Sequence, residues 1–204
     1  MGKKSYSPEE TLTEIKFLME RSSRFISLSG LSGVMAGIYA LAGVGAAYYY
    51  VYRKIAVSNA TYDRGDTTFL LTDAAIVLIL AVSTGIFLTT RKAKKDGNSL
   101  LDSSAKKLII NLCIPLVAGG FFCLAFLFYG NAFYVIPAML VFYGLALVNA
   151  SKYTRDDVRS LGMAEILLGL LSLFIVGYGL VFWAFGFGVL HIVYGVYMYF
   201  KYER

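Results

Sequence analysis

Residues 108–150 read LIINLCIPLVAGGFFCLAFLFYGNAFYVIPAMLVFYGLALVNA, without one charged side chain. A helix crosses the roughly 30 Å hydrocarbon core of a bilayer in about 20 residues, so this run is too long for one crossing. The Tyr129–Gly130–Asn131 triplet is the turn available within it, which predicts two spans, about 108–129 and 132–150, joined as a hairpin. The same reading divides the later apolar run into spans of about 161–180 and 182–200, with the turn at Gly179–Val181. Two further blocks, about 26–51 and 68–90, complete six candidate spans. All 19 Lys and Arg residues lie outside these blocks. The expected fold is therefore an all-α integral membrane protein, with a tail over 1–24 and one six-helix transmembrane domain over 25–204.

Composition agrees. The 204-residue chain is 58% hydrophobic and 16% charged, whereas soluble domains are about 45–50% apolar and about 25% charged. This excludes a disordered chain, a disulfide scaffold and an ordinary cytosolic enzyme. The net charge of +6 is gathered at block ends, which points to anionic lipid headgroups and away from nucleic acid. Counting basic residues by loop puts 16 on the side of both termini, against Arg53, Lys54 and Arg64 on the other. The positive-inside rule then makes both termini cytoplasmic, and a bacterial inner membrane is the expected location.

Within the tail, Ser7-Pro8-Glu9-Glu10 has the form of a capping box, and Leu12, Ile15, Leu18 and Met19 fall on one helical face. A short amphipathic helix is expected there, lying on the membrane surface or against the bundle mouth. Thr154 is the expected N-cap of the fifth helix, with Asp156 and Asp157 near the positive end of its dipole. Asn59-Ala60-Thr61 is a glycosylation sequon in the outer loop.

The two C-terminal hairpins echo each other. Gly120, Tyr129-Gly130, Tyr143-Gly144 and Lys152-Tyr153 correspond to Gly169, Tyr178-Gly179, Tyr194-Gly195 and Lys201-Tyr202, offset by 49 residues except for 51 at the third pair. Gly85 leading to Arg91-Lys92 fits the first pair of spans more loosely. Three hairpins of one orientation are expected. In span layout and Gly-rich rhythm the chain resembles the HdeD-type acid-resistance membrane proteins, which implies a six-helix fold of three hairpins and assigns no role to any residue.

Helices associate in lipid through close packing of small residues. Ser29, Gly33 and Gly37 form one small ridge on the first span, and Ser32, Ala36 and Ala40 a second; the GxxxG pattern at Gly33–Gly37 raises the possibility of a homo-oligomer. Tyrosines at 48–50 and 52, with Tyr134, Tyr178 and Trp183, suit an outer aromatic belt; Tyr153, Tyr199 and Tyr202 suit an inner one. Pro115 and Pro137 each remove a backbone donor and can kink their helices.

Ionisable residues at membrane depth are few: Asp73, Glu165 and His191. Such residues are costly and face protein. Gly162, Glu165, Gly169 and Ser172 recur on one helical face, as do Gly188, His191 and Gly195, so Gly169, Gly188 and Gly195 join the packing residues. With the hairpin turn at Gly179, Glu165 lies level with Tyr197 and about 9 Å from His191 along the helix axis. Lys201, Tyr194 or Tyr197 is then its expected partner. Two readings remain open: a proton or cation relay of Asp73, His191 and Glu165, or three hydrogen-bonding residues that fix helix register.

Cys113 and Cys123 are ten residues apart on one expected helix, too far for a disulfide. A single histidine excludes a bis-His haem within the chain, and no phosphate loop, HExxH or GxSxG motif occurs. No enzyme activity, cofactor or metal is expected. The function read from sequence is a non-enzymatic structural, stress-related or accessory bundle protein, the alternative a small channel or proton- or cation-coupled transporter.

Overall fold

A computed structural model describes residues 28–58, 63–95 and 103–204, and among them every regular element is helical. The expected amphipathic helix of the tail and the sequon at Asn59 lie outside the described residues. α1 begins as Gly30–Ala47, passes through a π-helical turn at Tyr48–Tyr52 and ends as Arg53–Ser58. α2 is Arg64–Lys95, α3 is Ser103–Phe128, and α4 is Val135–Ala150, carried to 22 residues by the 3-10 turns Ala132–Tyr134 and Ser151–Tyr153 at its two ends. α5 is Asp157–Ser172, and α6 runs Gly179–Trp183, then π-helically over Ala184–Leu190, then His191–Tyr202. All but α5 are long and apolar enough to cross a membrane.

The first hairpin turn lies at Gly130, whose φ of 74° is open to a residue without a Cβ. The second turn departs from expectation. α5 stops at Ser172, and Gly177, with φ 90°, takes the left-handed position; Gly179 instead opens α6. At 16 residues, α5 rises only about 24 Å, short of the expected span. Its start also differs: Asp156, not Thr154, is the N-cap, and Thr154 is buried. Pro137 needs no kink, because it occupies the first turn of α4, where the missing N–H has no helical acceptor. Pro115 lies inside α3.

Glycines set how the helices meet. A Cβ on Gly30 would lie 2.5 Å from the Gly195 carbonyl, and one on Gly37 would lie 2.6 Å from the Gly188 carbonyl. The Gly33–Gly37 face of α1 is thus seated against antiparallel α6 within the same chain. α4 and α5 meet in the same way: a Cβ on Gly144 would lie 2.5 Å from the Gly162 carbonyl, and one on Gly162 would lie 2.7 Å from the Gly144 carbonyl. Backbones this close gain dispersion contacts that lipid cannot match. α2 packs on α1 and α3 on α4, while both leave long apolar faces exposed.

Polar groups tie the ends. Near the chain ends, Lys92 of α2 donates to the Leu28 carbonyl at 2.9 Å and pairs with Glu203 at 3.1 Å. Glu203 in turn accepts the otherwise orphaned N–H of Gly30, capping α1 from the far end of the sequence. Asn149 donates to the backbone and side-chain oxygens of Asn111 at 2.9 and 3.2 Å, joining α4 to α3. At the opposite end, Asp63 and Asp66 exchange backbone-to-carboxylate bonds of 2.8 and 3.0 Å, as a capping box does. Lys54 of α1 bridges both carboxylates at 3.0 and 3.1 Å.

Candidate functional site

α5 presents Gly162, Glu165, Gly169 and Ser172 on its buried face. The glycines let α4 approach, and Glu165 is carried with them into the interior, where its exposure is 0%. Opposite it, Gly186 of α6 leaves just enough space: a Cβ there would lie 2.5 Å from Glu165 Oε2 and from Leu140 Cδ2. Both carboxylate oxygens lack a hydrogen-bond partner.

His191 is 7% exposed. Its Nδ1 lies 2.9 Å from the Gly186 carbonyl. A carbonyl can only accept, so Nδ1 carries a proton, and in the neutral imidazole Nε2 is then the acceptor. The Tyr143 hydroxyl of α4 donates to Nε2 at 2.7 Å. That leaves Nδ1 3.5 Å from Glu165 Oε1, a charged pair if the imidazole gains a second proton. Tyr143, His191 and Glu165 thus form one buried cluster drawn from α4, α6 and α5.

This corrects the expected register. Glu165 lies level with Gly186, not Tyr197, and His191 is its near neighbour and not about 9 Å away. Two causes add. The turn falls several residues earlier than Gly179, and the histidine ring points back toward the N-terminus of its helix, as side chains on helices do. The ring lies beside the π-helical stretch Ala184–Leu190, a departure from α geometry that often marks functional positions. Lys201 and Tyr197, expected as partners of Glu165, bond each other at 2.9 Å instead.

Asp73 does not join the cluster. It sits on α2 against α1, where a Cβ on Gly43 would lie 3.0 Å from its Oδ2. Tyr143 and Gly186 escaped the sequence reading. Tyr143 was visible only as half of a repeated Tyr-Gly pair, and Gly186 as one glycine among 20.

A second polar group lies where α5 begins. Lys201 bonds both Asp157 oxygens at 2.9 and 3.1 Å, and the Tyr202 hydroxyl donates to one of them at 2.6 Å. Arg155 stacks 3.5 Å over the Tyr202 ring. Partial burial alone would push the Asp157 carboxyl up, but the Tyr202 hydroxyl and then the Lys201 ammonium outweigh it and hold it below its usual value. The folded state therefore binds this proton less readily than the unfolded chain. The cluster's stabilisation is present above the ordinary aspartate range and is lost as pH falls through the depressed value. Thermal unfolding of detergent-solubilised protein across an acid series should show this loss, and Asp157→Asn should flatten it.

Among the described residues no group of three or more His, Cys, Asp or Glu side chains is placed to hold a metal ion. Both cysteines are free. Comparison with protein-family models, curated proteins and solved structures finds no match for the chain.

Proposed function

We propose that this chain is a non-enzymatic polytopic membrane protein, acting as a small channel or proton- or cation-coupled transporter through Glu165. One observation carries the reading: a fully buried carboxyl whose two oxygens have no hydrogen-bond partner. A carboxylate so placed is strongly destabilising unless it binds a proton or another cation, and ionisable groups at membrane depth are costly and mark ion pathways and proton relays. The chain crosses a bacterial inner membrane six times as three hairpins, with both termini and the basic loops facing the cytoplasm and anionic headgroups. α5 completes its crossing through the apolar segment 173–178.

A structural or accessory role is the second reading. It is favoured by His191, whose two ring nitrogens are both engaged by protein groups and tie α4 to α6.

Proton and cation flux in proteoliposomes separates the two. The parent protein should dissipate an imposed gradient, Glu165→Gln should abolish that flux, His191→Ala should reduce it, and Asp73→Asn should leave it unchanged. No flux of any ion under any gradient would leave the accessory role standing alone.

A further inference from the structure

α2 and α3 meet where the first ends and the second begins. Ala93 and Ala105, both buried, pack in one cluster with Leu28 and Leu108. Successive side chains on a helix are set about 100° apart, and these two helices run in opposite directions. The residues that follow the two alanines, Lys94 and Lys106, therefore fall on one side of the pair, and those that precede them, Lys92 and Ser104, on the other. Burial agrees. Lys92 is turned inward to the Leu28 carbonyl and Glu203, and Ser104 is buried, whereas Lys94 and Lys106 are exposed. Arg91, Lys95 and Lys107 are exposed around them, and among the described residues none of these five pairs with a carboxylate. The joining segment 96–102 holds two acidic residues, Asp96 and Asp102, too few to neutralise the corner.

Next to this corner the same side of both helices is apolar. On α2, Ile86 and Phe87 lie about two turns from Lys94; on α3, Ile110 lies about one turn and Val117 about three turns from Lys106. Each of the four is more than half exposed. α2 gives a different face to α1, and α3 a different face to α4. Two unpartnered apolar surfaces thus lead away from one unneutralised pair of lysines, supplied by two helices.

We infer that Lys94 and Lys106 hold the phosphate of an anionic phospholipid at this corner, with its acyl chains laid along the exposed faces of α2 and α3. Charge and apolar surface in this order select the occupant. A soluble anion leaves the apolar faces unused, and a zwitterionic lipid brings a cation of its own to the lysines. Basic clusters beside a membrane helix favour anionic lipids by roughly fivefold in binding for each Lys near the surface. Occupancy depends on the chain lying in a bilayer, as proposed above, and not on whether Glu165 carries ions.

Native mass spectrometry of the full-length chain tests this, with equimolar phosphatidylglycerol and phosphatidylcholine added to the detergent-solubilised protein. One phosphatidylglycerol per chain should be retained in preference to phosphatidylcholine. Retention should fall about fivefold in Lys94→Gln or Lys106→Gln alone and at least about tenfold in the double variant. It should persist when both lysines become arginine, which keeps the charges. It should also persist in Arg159→Gln, which removes a charge from an exposed residue of α5. Excess inorganic phosphate should not displace the lipid. Circular dichroism and size-exclusion profiles matching the parent qualify each variant for comparison. Equal retention of the two lipids by the parent overturns the site. An undiminished signal in the double glutamine variant, or an equal loss in Arg159→Gln, overturns the assignment to this corner. Displacement by inorganic phosphate overturns the lipid as its occupant.

Discussion

Gly144→Val should cost the protein about 3 kcal/mol, the upper end of what overpacking a close-packed site exacts, and should be among its most damaging single substitutions. A Cβ at this position meets the Gly162 carbonyl at 2.5 Å and the Ile166 backbone nitrogen at 2.8 Å. These are main-chain atoms and cannot swing aside, so α4 and α5 must separate. Gly144→Ala should show a smaller loss of the same sign. Gly120, with nothing within 4 Å of its would-be Cβ, is the control, and Gly120→Ala should leave stability within about 0.5 kcal/mol of the parent. Thermal or denaturant unfolding of the purified proteins in one detergent measures all three. Equal midpoints for Gly144→Val and Gly120→Ala would show that the α4–α5 contact is not close.

The second large effect has the opposite sign. Glu165→Met should stabilise the fold by about 1–3 kcal/mol, because it replaces a buried group without partners by an apolar one of similar length. The same variant should lose any proton or cation flux. A residue kept for packing behaves otherwise, since replacing it weakens the fold. If Glu165→Met unfolded more readily than the parent, the carboxyl would be contributing hydrogen bonds, and the register-fixing role would be the better account.

Hydropathy and small-residue spacing made much of this architecture legible, for physical reasons. The turn at Gly130 stands out because Tyr-Gly-Asn interrupts an otherwise unbroken apolar run. The second turn does not stand out. Phe174, Ile175 and Val176 are as apolar as the helices they separate, and nothing in their chemistry prefers Gly177 over Gly179 as the left-handed residue. Moving that turn shifted the residue opposite Glu165 from Tyr197 to Gly186. Eleven residues are close to three helical turns, so the facing of α5 toward α6 survived the error while the level did not. The π-helical stretch, which no periodicity announced, sits in the same interval. The cluster of Tyr143, His191 and Glu165 was therefore hidden, although two of its members were singled out. The Asp63–Asp66 pair was legible in principle, as an acidic residue followed three positions later by another at a helix start. It does not stand out in the hydropathy pattern, because the apolar block begins only at 68.

The contact between α1 and α6 has a bearing on biogenesis. The glycine-lined side of α1 finds its mate only in α6, so the nascent chain must hold that side in waiting while α2 to α5 are made. Ribosomes stalled or terminated before residue 186 would release a product lacking both this mate and the Glu203 cap, an obvious substrate for quality-control proteases.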